Sequence, residues 1–422
     1  MMNNFINNLN TKGFFHFLTA NYFIGFLGLA SQLLVVKFLS PSEMADIKIL
    51  QSFVAVVSIM AGFGFNTAVL KMCSENISTQ EKKEIFSKNI FYTLISMSMV
   101  IVLSILLIKL ELLSSNQDYN NWLLVYLLIV PATVFTSLFI SYLQALKKIR
   151  LMASLQSMIR LIGILLIILF TYYYGFSGFV WSNIMVSFFG LIGILIFVRK
   201  DFISSIDLVA KKDNLSYAFW SGFANTVGIT ASYLDIFILN SISDDRITIG
   251  YYSIATIFLL GLNYITSTVQ SIATPYFSEK SSNEEEFKRV LNKYLKLLIM
   301  ISILVGAISY FIVPVFVNIF YGDEYQSVGE FFKIFVFKYI FWSTSALVGV
   351  AVLSIGKMKF NFLTVLFTTI IAFFITYALG LKFGTYGVAY GQVISYFIAM
   401  IFIVVIGRKV INNHFCNIEG IR

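Results

Sequence analysis

Residues 216–280 run SYAFWSGFANTVGITASYLDIFILNSISDDRITIGYYSIATIFLLGLNYITSTVQSIATPYFSEK, and their reading decides the architecture. Two apolar segments, 216–240 and 249–272, are each long enough to cross a bilayer, which takes roughly 20 residues of helix. A short acidic turn, Ser243-Asp244-Asp245-Arg246, joins them. The first segment carries Asp235, a carboxylate where hydrocarbon makes charge expensive. The same layout occurs near the start of the chain. A constant interval sets Asn225 on Asn21, the entry Ile249-Gly250-Tyr251 on Ala45-Asp46-Ile47, and Gln270 on Asn66. Residues 216–280 therefore open a second half that repeats the first.

Composition places the whole chain in the same class. Of 422 residues, 58% are hydrophobic and 12% charged, and the mean hydropathy is +0.84. Soluble domains carry about 25% charged residues, so most of this chain cannot face water. Moving outward from the opening stretch gives twelve apolar spans. Six precede the repeat point, at 14–36, 47–70, 86–108, 122–143, 152–174 and 176–198. Six follow, at 216–240, 249–272, 294–320, 331–355, 360–381 and 385–406. The first is too long for a signal-peptide core, has only Lys12 before it, and is not followed by a small-residue cleavage site.

Lys and Arg alternate between loops without a break, which sets the orientation. One side collects Lys71, Lys82, Lys83, Lys88, Lys147, Lys148, Arg150, Arg199 and Lys200, and continues in the second half through Lys280, Lys288, Arg289, Lys357, Lys359, Arg408 and Lys409. The other side has Lys37, Lys109, Arg246 and Lys382, and the loop 321–330 holds only the acids Asp323, Glu324 and Glu330. Both termini are thus expected in the cytoplasm, and the net charge of +9 reads as topology rather than a nucleic-acid footprint. The expected fold is an all-α polytopic membrane protein, with twelve transmembrane helices in two six-helix lobes. Residues 1–200 form the first lobe, 201–215 a cytoplasmic linker, and 216–422 the second lobe. Halves in the same orientation place a site between lobes near the membrane midplane, worked by alternating access.

Short loops leave no room for a catalytic domain outside the membrane. The chain has no P-loop, no H-E-x-x-H and no C-x-x-C motif. Its histidines are His16 and His414 and its cysteines Cys73 and Cys416, too few for a metal cage or a disulfide framework. The expectation is a protein that is not an enzyme and uses no cofactor, only H+ or Na+ as a coupling ion.

Several stretches together resemble a known family. FLSPSEMADIKILQSF (38–53) followed by AGFGFNTAVLKMCSE (61–75) resembles the start of bacterial O-antigen and capsular polysaccharide flippases. These belong to the multidrug/oligosaccharidyl-lipid/polysaccharide exporter superfamily. YLDIFILNSISDDRITIGYYSIA (233–255) and IATPYFSEK (272–280) are similar to the family's seventh and eighth helices. VPVFVNIFYGDEYQSVGEFFKIF (313–335) and LSIGKMKFNFLTV (353–365) match its pattern around helices nine to eleven. Asp46 departs from that pattern, which more often has Gly there. The resemblance implies a carrier of undecaprenyl-pyrophosphate-linked oligosaccharide in the inner membrane, acting beside a polysaccharide polymerase and a chain-length regulator. A multidrug/cation antiporter of the related toxin-extrusion family is the alternative, and would want carboxylates in its cavity rather than cations.

Such a substrate needs cations for pyrophosphate and amides or hydroxyls for sugar. Arg160, about 12 Å into the fifth span, suits phosphate through its guanidinium fork, or snorkels to the headgroups. Lys338, deep in the tenth span, belongs to a cationic cavity or to an ion pair with Asp235, and Lys333 lies nearer the surface. Asp235 is a candidate ion-coupling carboxylate or a structural counter-ion. Asn21, Asn225, Asn263 and Gln270 can bind sugar or join helices by hydrogen bonds.

Overall fold

The computed structural model describes residues 14–75, 77–111, 117–202, 212–281 and 283–419, without the side chains of 14–24, 149–150, 212–214, 358 and 417–419. Among the described residues there are thirteen α-helices, two short 3-10 turns and no strand. The first half holds α1 (Phe14–Val36), α2 (Pro41–Gly62), α3 (Phe65–Ser74), α4 (Thr79–Lys109), α5 (Gln117–Tyr126), α6 (Ile129–Ala145) and α7 (Ile149–Val198). The rest comprises α8 (Lys212–Ser232), α9 (Leu234–Ile242), α10 (Arg246–Glu279), α11 (Glu284–Tyr321), α12 (Gln326–Ser354) and α13 (Met358–Glu419).

Eight of the described helical segments are long and apolar enough to cross a membrane, and α8 with α9 makes a ninth as a bent pair. Two of the eight are double. A 50-residue helix would measure about 75 Å, over twice the roughly 30 Å hydrocarbon core. The chain instead folds back inside α7 at Gly175 (φ 58°, ψ −137°) and inside α13 at Gly384 (φ 60°, ψ −144°). A Cβ on Gly178 would meet the carbonyl oxygen of Phe170 at 2.0 Å, and one on Gly190 would meet Ile159 at 3.2 Å. Gly387 and Gly391 meet Leu379 and Thr376 in the same antiparallel way. These hairpins separate the spans expected at 152–174 and 176–198, and at 360–381 and 385–406. Positive φ with such ψ is nearly glycine-only and costs another residue about 1–3 kcal/mol. Gly175→Ala and Gly384→Ala are each expected to lower the unfolding midpoint in detergent accordingly. Gly193→Ala, at a helical position with nothing within 4 Å of its Cβ, serves as the neutral control.

The lipid-facing helices are visible from their exposure. The most apolar stretches of 79–109, 151–201, 284–321 and 359–416 are only 6–17% buried, whereas those of 41–62, 117–145, 246–279 and 323–354 are 50–56% buried. Side chains such as Ile319 (79% exposed) and Phe311 (70%) would be untenable in water and suit hydrocarbon. The protein is a multi-pass membrane protein.

Three spans that read as continuous are interrupted. The second, expected at 47–70, breaks between α2 and α3, where Phe63 and Gly64 take φ 43° and 75°. Gly64 lies against the backbone of α8, so near that its Cβ would be 2.3 Å from the Ala218 carbonyl. The fourth, expected at 122–143, breaks at 127–128. Pro131 has no N–H to give the carbonyl one turn back, which accounts for the interruption. Pro314, by contrast, sits inside α11 without interrupting it. The seventh span bends by 55° between α8 and α9.

The chain divides into two compact units, one of residues 1–39 and 46–230 and the other of 40–45 and 231–422. Packing thus assigns α8 to the first unit and α9 to the second, with the division at the bend. Each unit has its own apolar core. In the first, Phe86 stacks on Tyr142 at 3.9 Å among Phe65, Val69, Leu138 and Phe139. In the second, Phe277 and Phe287 meet at 5.7 Å among Leu291, Leu295, Leu347 and Val348. Cys73 is buried in the first core, and it and Cys416 are free thiols.

The internal repeat is clearest in the punctuation of the helices. Ser40 and Glu43 cap α2 reciprocally, and Asp245, 205 residues on, caps α10 through the amide of Thr248 at 3.1 Å. Ser78 caps α4 in a capping box with Glu81, and Asn283, again 205 residues on, caps α11 through the amide of Glu286. Beyond that the interval is 209. It relates Lys147 to Gly356, both left-handed after a helix, and Gly175 to Gly384. The interval is therefore one residue longer than the one aligning Asn225 with Asn21, and it grows by four along the chain.

Candidate functional site

Asp235 stands in the first turn of α9, immediately after the bend. There the unpaired amides of a new helix favour a negative charge, and its Oδ1 accepts from the Ile236 amide at 3.0 Å. Its Oδ2 accepts from the Tyr252 hydroxyl at 2.7 Å, and the Lys338 ammonium stands 3.5 Å away. The two charged side chains are only 7% and 12% exposed. Tyr252, on α10, is fully buried and fixed by edge contacts to Phe331 and Phe335 of α12 at 5.6 and 4.9 Å. Phe331, Phe335 and Lys338 follow one another at four and three residues, so one face of α12 delivers both the wedge and the cation. The ammonium also lies 5.1 Å from the ring of Tyr396 on α13.

Four segments therefore converge on one buried constellation: carboxylate, phenol, ammonium and aromatic face. Opposite charges that are hydrogen-bonded can persist at this burial, whereas either charge alone cannot. Among the described residues no cluster of three or more His, Cys, Asp or Glu could hold a metal ion.

Of the residues singled out in the sequence, the structure brings Asp235 and Lys338 together as an ion pair. Lys333, five residues earlier on α12, instead turns its ammonium over the ring of Tyr310 on α11 at 5.6 Å. Asn263 and Gln270 are half-buried on α10. Arg160 is exposed on α7, between the exposed Met158 and Leu161, and Asn225 is exposed on α8. Asn21 lies on α1, with its side chain outside the described residues, as does that of His16. Asn66 joins helices, donating to Ser137 at 3.1 Å. Tyr252 and Tyr396 were not legible in the sequence, where they are two among 23 tyrosines. The spacing of Phe331, Phe335 and Lys338 sets the three on one face of α12, and the packing of that face against α9 and α10 selects Lys338 over Lys333.

A family model described as polysaccharide biosynthesis protein matches residues 34–330. No curated protein matches the chain in sequence. Among solved structures, the lipid II flippase MurJ in an inward closed conformation superposes with a TM-score of 0.79 at 18% identity, covering 96% of this chain and 90% of that one. An inward-facing multidrug resistance MATE family transporter of the MOP superfamily gives 0.75 at 15% identity, covering 93% and 94%. A MOP superfamily transporter from Pyrococcus furiosus gives 0.66 at 14%, covering 94% and 93%. At such identities the likeness is one of fold. With the family match spanning well over half its length, the chain belongs to the polysaccharide biosynthesis protein family, built on the all-helical fold of MOP superfamily transporters.

Proposed function

We propose that this protein is a flippase. It carries undecaprenyl-pyrophosphate-linked oligosaccharide units from the cytoplasmic to the periplasmic leaflet of the bacterial inner membrane. The observation that carries this reading is a polysaccharide-biosynthesis family match on a transporter fold. In this reading twelve spans cross the membrane with both termini in the cytoplasm, as the lysine and arginine asymmetry indicates. Two six-helix lobes alternate access, and H+ or Na+ binding at Asp235 supplies the coupling. Flipped units pass to a polysaccharide polymerase and its chain-length regulator. Arg160, Lys333 and Lys338 are the cations proposed for pyrophosphate, and Asn21, Asn225, Asn263 and Gln270 the amides proposed for sugar.

The antiporter reading is less well supported. The family that matches is one of polysaccharide biosynthesis rather than of drug export. A strain deleted for this protein alone separates the two. Lipid-linked oligosaccharide trapped in the cytoplasmic leaflet, loss of surface polysaccharide and unchanged drug sensitivity are expected. Normal surface polysaccharide with new sensitivity to cationic drugs would sink the flippase reading.

A further inference from the structure

At the lysine-rich end of the second unit, α12 stops in a Schellman turn. Gly356 (φ 78°) donates to the Leu353 carbonyl at 2.9 Å, and Lys357 donates to Val352 at 3.3 Å. Lys357 then precedes the first residue of α13, and Lys359 lies in its first turn. Because α13 is a hairpin, its far arm returns to the same end and presents Asn413 and His414. Together these residues line an open pocket of about 510 Å³, with Phe360 and Val410 on its apolar side. Among the described residues no carboxylate lines it.

Among the described residues the charge of this pocket is unbalanced. His414 lies about 12 Å beyond the last apolar span at 1.5 Å per residue, in a polar stretch that includes Arg408, Lys409, Asn412 and Asn413. Its imidazole is held below its usual pKa, first by burial and then by the Lys357 ammonium. One flank is anchored, since the neighbouring Phe415 packs on Phe287 of the core at 5.6 Å. Lys357, Lys359, Asn413 and His414 thus line a cavity in which, among the described residues, no acidic side chain balances them. These are donors and point charges suited to phosphate oxygens.

We propose that this pocket, bounded by Gly356, Lys357, Lys359, Asn413 and His414, binds a phosphate group. That chemistry is shared by an anionic phospholipid headgroup and by free phosphate. The site is independent of the Asp235–Lys338 pair and of what the protein transports. The matching turn of the first unit, with Lys147 left-handed and Lys148 following it, provides an internal control.

The test is NMR of the full chain labelled at histidine, with His16→Gln leaving His414 as the remaining signal. Its pKa is measured in nanodiscs of phosphatidylcholine, of phosphatidylcholine with phosphatidylglycerol, and of phosphatidylcholine with inorganic phosphate, all at one ionic strength. Bound phosphate places negative charge beside the imidazole and is expected to raise its pKa by about one unit. A rise with phosphatidylglycerol that Lys357→Ala and Lys359→Ala remove, and Lys148→Ala keeps, identifies a lipid headgroup. The same pattern with inorganic phosphate in neutral discs identifies the free anion. The absence of a rise in both arms overturns the site. An equal rise in the Lys357→Ala and Lys359→Ala variants also overturns it, because a diffuse surface potential acts on all variants alike. Lys359 is exposed, so its variant keeps the test open if Lys357→Ala does not fold.

Discussion

Lys338→Ala is expected to destabilise the protein in detergent by about 3–5 kcal/mol, the cost of leaving a buried charge without its partner. The residue left behind is Asp235, whose carboxylate keeps the Tyr252 hydroxyl and the Ile236 amide but loses its counter-ion. Asp235→Asn exposes the converse problem, a buried ammonium facing an amide, and should cost a similar amount. The informative variant is the double replacement Asp235→Leu with Lys338→Met. Removing both charges together restores most of that loss, because apolar residues commonly match a buried ion pair, and leaves the cost of the buried Tyr252 hydroxyl without its acceptor, about 1–3 kcal/mol. The cycle should therefore be strongly non-additive, with thermal unfolding as its readout. Transport by the double variant then separates the two roles of the pair. If the stable double variant still flips substrate at the parent rate, the pair is structural and ion coupling at Asp235 is refuted. Loss of flux in a protein that inserts and unfolds normally assigns the pair to transport.

Gly250→Ala is expected to be more damaging than any other single methyl addition outside the hairpin turns. Its Cβ would lie 1.8 Å from the carbonyl oxygen of Pro41 and 2.4 Å from the carbonyl carbon. Both are backbone atoms at the start of α2, so no rotamer change relieves the clash, and the first turns of α2 and α10 must separate. A loss of about 4 kcal/mol or more is expected, at the upper end of single-substitution effects. It would be read as loss of a monodisperse folded peak after extraction at parent levels of membrane insertion. Gly228→Ala, a control with nothing within 4 Å of its Cβ, should be nearly neutral. A normal folded peak from Gly250→Ala would show that the two helix starts can separate at little cost. At the 205-residue interval of the repeat, the first-half counterpart of Gly250 is Ala45, which already carries the methyl group.

Membrane class and the run of apolar helices were legible in the sequence for one reason. Lipid offers no hydrogen bonds, so every span must satisfy its own backbone within a local run of apolar residues. The hairpin turns could be placed between spans because the restriction on Gly175 and Gly384 is local to each backbone. Helix caps were equally local, and the repeat in Ser40, Ser78, Asp245 and Asn283 could have been found by comparing caps instead of amides. Asp235 stood out because a carboxylate among apolar residues needs a partner. Which partner it takes is a different kind of fact. Lys333 and Lys338 are both cations on α12, and the choice depends on which face of that helix meets α9 and α10. The same holds for Tyr252, the interruption at Phe63–Gly64 against α8, and the closing of the Gly356–His414 pocket by two ends of one hairpin. Local chemistry in the sequence determined what must be buried, where the chain crosses and where it turns. Only the tertiary structure decided which buried groups meet, because those distances are set by helices far apart in the chain packing at backbone contact.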